Sequence, residues 1–276
     1  MLIVELNNIE VLNSNADAYL IGVKDFSSEC YHHYSIEEVK EIVLKVKENH
    51  KLAFIDLTNI FHDQDLPKVK AFIDSLELVD GFFYNDLGVM NLIEKDKRVY
   101  FSSTYLTNQY DIQIVCDDNK YVLVSPELSL KELENIKYND QMFLLAFGPW
   151  EIFHSRRPLI SNYFKYRCKE YDSNNQYHVI EEFRNDLYPI IENNGTKIYL
   201  NGYYYLGKEL ENKTSNLLIK TFNLDSELVI KITNLYQTYL KCNEFNIEDE
   251  LNKLGLDLNK GLLYEKSILT KGGNNE

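Results

Sequence analysis

Between residues 17 and 148 the chain alternates short apolar runs with amphipathic stretches, and this rhythm restricts the fold more than any other feature of the sequence. The runs DAYLIGV (17–23), KLAFIDLTN (51–59), DGFFYND (80–86), RVYFSST (98–104), YVLVSPE (121–127) and QMFLLAFG (141–148) have the length and apolar content of buried strands. Between them, SIEEVKEIVLKVKENH (35–50) predicts a helix. Ser35 and Glu38 form a capping box there, and Ile36, Val39, Ile42, Val43 and Val46 share one face. LPKVKAFIDSLEL predicts a helix with Pro67 in its first turn. LGVMNLIEK, NQYDIQIVCDD and SLKELENIK predict three more, the last capped by Ser129 with Glu132. Strands separated by helices pair in parallel through right-handed crossovers. A repeat of about 20–30 residues then predicts an α/β fold, a (β/α) TIM-like barrel.

The second half breaks the rhythm and predicts a β-rich insertion over roughly 170–205, with NNG (193–195) as a turn. SNLLIKTFN (215–223) reads as a returning strand. DSELVIKITNLYQTYLK (225–241) reads as a helix with Asp225 or Ser226 as N-cap. GLLYEKSILTK (261–271) reads as a strand-like tail, and 272–276 as disordered. No Pro/Gly/Ser-rich linker interrupts the chain, so residues 1–276 read as one barrel domain.

With 45% apolar residues in 276, the chain can bury a large core. No apolar run reaches the ~18 residues that span a bilayer, and the start, MLIVELNNIEVLN, has no basic leader region. The expectation is a cytoplasmic protein with no membrane partner. Cys30, Cys116, Cys168 and Cys242 lie far apart, with no CxxC and no metal-ligand spacing, so no metal is expected. The formal charge of −14 counts against tight nucleic-acid binding by this chain alone.

Strand ends of a TIM-like barrel form the mouth where ligands sit. Here they carry Asn59, Asp86, Ser103, Thr104 and Glu127. Helix capping accounts for part of this ring, Asp86 above all, since a helix starts at Leu87. The stretch GPWEIFHSRRPLISNYF (148–164) places Arg156 and Arg157 at the end of the sixth run. Gly148 allows a backbone turn, and PWEIFHSRR then reads as a loop over the mouth. Paired guanidinium groups suit a carboxylate or phosphate ligand, or an ion pair with Glu127 or Asp86. Alternation along an extended segment sends the two to opposite sides. It also sends Ser155 away from His154, and Cys30 with His32 or His33 lacks an orienting third group, so no catalytic residue is assigned. The 21 tyrosines suit packing or base stacking. FKYRCK, with Lys165, Arg167 and Lys169, is the densest basic run and the natural phosphate contact.

Several blocks in order resemble the peptidase U32, or collagenase-like protease, family. They are DAYLIGVKDFS, IDLTNIFHDQDLP with Asn59, DGFFYNDLGVMNLI with Asp86, VLVSPELSLKELENI with Glu127, GPWEIFHSRRPLISNYF with Ser155, Arg156 and Arg157, YPIIENNGTKIYL and GLLYEKSILTK. The match is firmest at Arg157, which selects it as the inward-facing one. Many members carry four Cys around this central stretch, and some of these hold an iron–sulfur cluster. The matching positions here are Glu151 and Pro158, and Phe143 stands where the pattern often has Glu. The resemblance is therefore to a short member, with no iron–sulfur cluster and no other cofactor expected. It implies an accessory or companion subunit in prephenate-dependent 5-hydroxylation of the tRNA wobble uridine. Such a subunit would work with a longer Cys-bearing U32 paralogue, reach tRNA through that partner, and hold a small carboxylate or phosphate ligand. The alternatives are a U32-type peptidase acting on denatured or collagen-like protein, and a non-catalytic small-anion-binding barrel.

Overall fold

The computed structural model describes residues 1–102, 106–180, 186–193, 195–211, 216–242 and 245–265. Its first strand, β1 (Leu2–Glu5), is buried at every residue. It lies in a segment whose single short apolar run has no repeating partner nearby, so periodicity alone leaves it unassigned. The alternation follows as expected: β2 (Ala18–Gly22), α1 (Ile36–Glu48), β3 (Leu52–Asp56), α2 (Leu66–Asp74), β4 (Gly81–Tyr84), α3 (Leu87–Met90), β5 (Arg98–Tyr100), α4 (Gln109–Asp118), β6 (Tyr121–Leu123), α5 (Leu130–Glu134) and β7 (Met142–Gly148). The capping signals hold. The Glu38 carboxylate accepts from Ser35 N–H at 2.8 Å while Ser35 Oγ accepts from Glu38 N–H at 3.2 Å. Glu132 accepts from Ser129 N–H at 2.9 Å.

After β7 the chain forms β8 (Glu151–Ser155), α6 (Leu159–Tyr166), β9 (Tyr177–Ile180), β10 (Leu187–Glu192), β11 (Thr196–Tyr199), β12 (Tyr203–Tyr205), β13 (Leu217–Ile219), α7 (Ser226–Lys241), α8 (Ile247–Asn252) and β14 (Leu258–Asn259). The returning strand expected over 215–223 is β13, and it closes the sheet. Leu217 pairs with Leu144 on one side and with Leu2 on the other, both in parallel. Strands β1 to β7 with β13 thus make a closed parallel eight-stranded TIM-like barrel with helices between strands. Its interior is aromatic: Phe83 lies 5.7 Å from Phe54 and 5.6 Å from Phe143. On the outside, Tyr236 of α7 donates to the carbonyls of Ala146 and Leu206 at 2.6 and 2.8 Å, tying β7 to the segment after β12.

The segment expected as a loop over 149–157 is instead largely strand. β8 joins an antiparallel sheet of order β8-β11-β10-β9, pairing His154 with Lys197 and Ser155 with Thr196. Its partner lies about forty residues downstream, beyond the reach of local periodicity. The insertion sheet therefore starts earlier than residue 170. Gly148, at φ +129°, lets the chain leave the barrel. A β-carbon built there falls 2.5 Å from the Lys220 carbonyl oxygen. Trp150 is buried against Tyr204, with ring centroids 5.8 Å apart, so the only Trp is a packing residue. The expected tail strand is a turn over 261–265. The rest of that segment, the 272–276 tail, and Ser103 and Thr104 lie outside the described residues. No described helix is long and apolar enough to cross a membrane.

Candidate functional site

The carboxyl ends of β1, β3 and β13 carry Glu5, Asp56 and Lys220, all buried. The loop after β2 folds down onto them because their carboxylates satisfy its amides. Asp56 Oδ2 accepts from the N–H groups of Glu29 (3.1 Å) and Cys30 (2.7 Å), and Oδ1 accepts from Thr58 N–H at 2.9 Å. Glu5 accepts from Tyr31 N–H at 2.6 Å and from Thr221 N–H at 3.0 Å. Glu29 is thereby fixed over the mouth. Its carboxylate meets Lys220 Nζ at 2.6 Å and Lys197 Nζ, from β11, at 3.4 Å. Lys197 also reaches Glu151 of β8 at 2.5 Å, and Glu151 lies 3.5 Å from His154 Nδ1. An almost dry chain of charges so joins the insertion sheet to the barrel. Lys197 is only 4% and Lys220 6% exposed at the side chain.

The electrostatics follow from sharing. Burial works against charge on Glu29, but the two ammonium groups outweigh it and hold its carboxyl at about 2. Burial likewise opposes both lysines, and Glu29 above all keeps them above the usual lysine range. Glu151 is pushed up, first by burial and then by Glu29, because two carboxylates share one ammonium. His154 is pushed down by burial and by Lys197, which favours neutral imidazole. One carboxylate is thus held charged beside another pushed toward neutrality, as expected where two carboxylates share one ammonium.

Glu29 gives a pH prediction. Its folded value lies below the 4.5 of an ordinary Glu, so its stabilisation is complete above about 4.5 and is lost as pH falls toward about 2. In acid titrations of thermal stability, the gap between wild type and Glu29→Gln should be widest above about 4.5 and closed near 2. A gap that grows on acidification would contradict the ion network.

Above this network lies a cavity of about 760 Å³ lined by Glu29, Asn85, Asp86, Phe101, Glu151, His154 and Arg156, among others. Arg156 stands on its rim and contacts His62 Nε2 at 3.0 Å. The expectation of Arg157 as the inward residue is corrected. Arg156 lines the cavity, whereas Arg157 is exposed and does not. The reason is that β8 and β11 set the register of the segment, with Thr196 Oγ1 donating to the Arg157 carbonyl at 2.8 Å. Neither guanidinium pairs with Asp86 or Glu127 in an ion pair among the described residues. Asp86 lines the cavity while capping α3, accepting from Gly88 N–H at 2.7 Å. Asn59 ties down the loop after β2 through the Asp25 carbonyl at 3.0 Å. Glu127 is exposed, away from this cavity. Ser155 Oγ accepts from Arg157 N–H at 3.1 Å. Lys165 and Arg167 are exposed at the end of α6 and are not part of the mouth lining. Burial and Asp56 push the Cys30 thiol up, and His33 Nε2 meets the Cys30 carbonyl at 2.8 Å rather than its sulfur. Among the described residues no group of three or more His, Cys, Asp and Glu side chains is arranged to hold a metal.

A model of peptidase family U32 matches residues 7–254. The chain belongs to the U32 family. It is 25% identical over 267 residues to tRNA hydroxylation protein P2 of Bacillus subtilis (strain 168), covering 89% of this chain and 86% of that protein. The solved structure of the U32 peptidase Mk0906 superposes with a TM-score of 0.52 at 12% identity, over 80% of this chain and 92% of that one, which is a likeness of fold. Within this U32 protein, Glu5, Glu29, Asp56, Lys197 and Lys220 belong to the candidate site's buried network and were not found by sequence reasoning. A signal existed for two of them. Glu5 and Asp56 are lone carboxylates at the ends of apolar runs, LIVE and AFID.

Proposed function

We propose that this U32 protein is a companion subunit in 5-hydroxylation of the tRNA wobble uridine, working in the cytoplasm with a longer, Cys-bearing U32 paralogue. The observation that carries the reading is the nearly end-to-end relation to a protein named for tRNA hydroxylation. The mouth supports it chemically. Arg156, held at the rim by donating to His62 Nε2, keeps further N–H donors for a small carboxylate or phosphate. Nucleoside mass spectrometry of tRNA from a deletion strain tests it. The 5-hydroxyuridine-derived wobble nucleosides should fall sharply, and an unchanged profile would overturn the reading.

Complementation of that strain tests the rim. Arg156→Ala should restore about tenfold less modification than wild type, because a charge-assisted contact is lost. Its stability should change by no more than about 0.5 kcal/mol, as for an exposed site. Arg157→Ala should complement fully. The reverse ranking would remove Arg156 from the site.

The reading carries no iron–sulfur cluster. The Glu151 carboxylate is committed to Lys197, and Pro158 offers no ligand. Protein purified without oxygen should contain no stoichiometric iron. An iron-to-chain ratio near that of a cluster would sink this part of the proposal.

A further inference from the structure

A second cavity, of about 480 Å³, shares no lining residue with the mouth cavity. One wall is Tyr31 and Phe222, whose rings lie 4.6 Å apart, with Phe222 stacked on Tyr199 at 5.0 Å. Buried Glu5 sets this wall, because its two oxygens hold Tyr31 N–H and Thr221 N–H, one on each loop. Another part of the lining is Tyr171 and Tyr177, 5.7 Å apart and both packed on Phe164 of α6. Among the described residues the remaining polar lining is mostly amide and hydroxyl, including Gln176 and Asn223, with His178 and no Lys or Arg. Its one carboxylate, Glu192, is taken up by the N–H groups of Ile160 and Ser161 at 2.9 and 3.1 Å.

Aromatic walls with mostly amide edges suit a flat ring that hydrogen-bonds at its rim. A nucleobase is such a ring, and unpaired RNA bases are held in this way, by stacking and edge contacts. A second observation agrees. The exposed basic run with Lys165, Arg167 and Lys169 leaves α6 beside Phe164, which backs the aromatic wall. In a chain of charge −14, a local basic run flanking an aromatic cavity matches phosphates flanking a base. We infer that this cavity seats one unpaired base of an RNA loop, with the adjoining phosphates on the 165–169 run. This rests on the tRNA reading above. The buried charged groups Glu29 and Glu151, with His154, line the other cavity, so the base seated here is an anchor and not the base that is modified.

The test uses the full-length chain and a short RNA hairpin whose unpaired loop carries 4-thiouridine. Affinity of the chain alone should fall in the weak range of roughly 10⁻⁴–10⁻⁶ M, which photo-cross-linking near 100 µM RNA still reads. Mapped adducts should fall on peptides holding Tyr31, Tyr171, Tyr177 or Phe222. Tyr31→Leu and Tyr177→Leu should each weaken binding about fivefold or more, with unchanged melting and unchanged salt dependence. Neutralising Lys165, Arg167 and Lys169 should instead flatten the salt dependence. Adducts confined to other surfaces, no adducts at all, or unaltered affinity in both Tyr variants would overturn the inference. Adducts elsewhere together with lost wobble nucleosides in the deletion strain would remove the pocket and leave the tRNA reading standing. Adducts in the pocket with unchanged nucleosides would support the pocket and remove the hydroxylation reading.

Discussion

Replacing Lys197 with Met should lower the unfolding free energy by about 3–5 kcal/mol, because it strands the Glu151 carboxylate at a buried site. Lys197 is the ammonium that Glu29 and Glu151 share, and at 4% side-chain exposure water cannot take its place. Urea denaturation reads the loss directly. The double variant Lys197→Met with Glu151→Gln should recover part of it, about 1 kcal/mol or more, since a neutral amide needs no cation. If the single variant loses less than about 1 kcal/mol, the network is not what joins the insertion sheet to the barrel. The same variant should lose complementing activity even where it stays folded, because Glu29, Glu151 and His154 all line the mouth cavity.

Gly148→Ala should be comparably severe, at about 3 kcal/mol or more. Two effects add there. The backbone sits at φ +129°, which L side chains rarely adopt, and the new β-carbon would lie 2.5 Å from the Lys220 carbonyl oxygen and 2.8 Å from the Lys220 β-carbon. Lys220 cannot retreat freely, since its N–H bonds the Phe147 carbonyl at 2.9 Å and its ammonium holds Glu29. Gly255→Ala is the control. It also has positive φ, at +70°, but nothing stands within 4 Å, so it should lose only about 1 kcal/mol. Equal losses from the two variants would show that conformational strain alone matters and that the contact between β7 and Lys220 does not.

The parts of this molecule that could be read from sequence are those set by neighbours in the chain. The capping boxes at Ser35 and Ser129, the Asp225 N-cap and the closing strand at 217–219 all leave a local trace. β8 leaves none, because its partner Thr196–Tyr199 lies far downstream. The site shows the same division. Asp86 and Arg156 stand out as polar residues at ends of apolar runs, and both reach the mouth cavity. Glu29 lies in an undistinguished loop and Lys197 in the middle of a strand, where a single lysine ordinarily faces water. Only the closure of the barrel and the folding back of the insertion bring them within ion-pair distance. The choice between Arg156 and Arg157 turned on a register that β11 imposes, which alternation within 149–157 cannot supply.

Barrel closure has a consequence for how the chain is made. β1 is made before the other strands of the barrel, yet one of its two neighbours, β13, pairs Leu2 with Leu217. At synthesis rates of ~5–20 residues per second, β1 waits roughly 10–40 s for that partner. During this interval its outer edge offers unpaired N–H and C=O groups beside an apolar LIVE face, which is a template for pairing with another nascent chain. Contacts this distant in sequence also slow the final step. The barrel is therefore most exposed to misassembly before its last strand emerges.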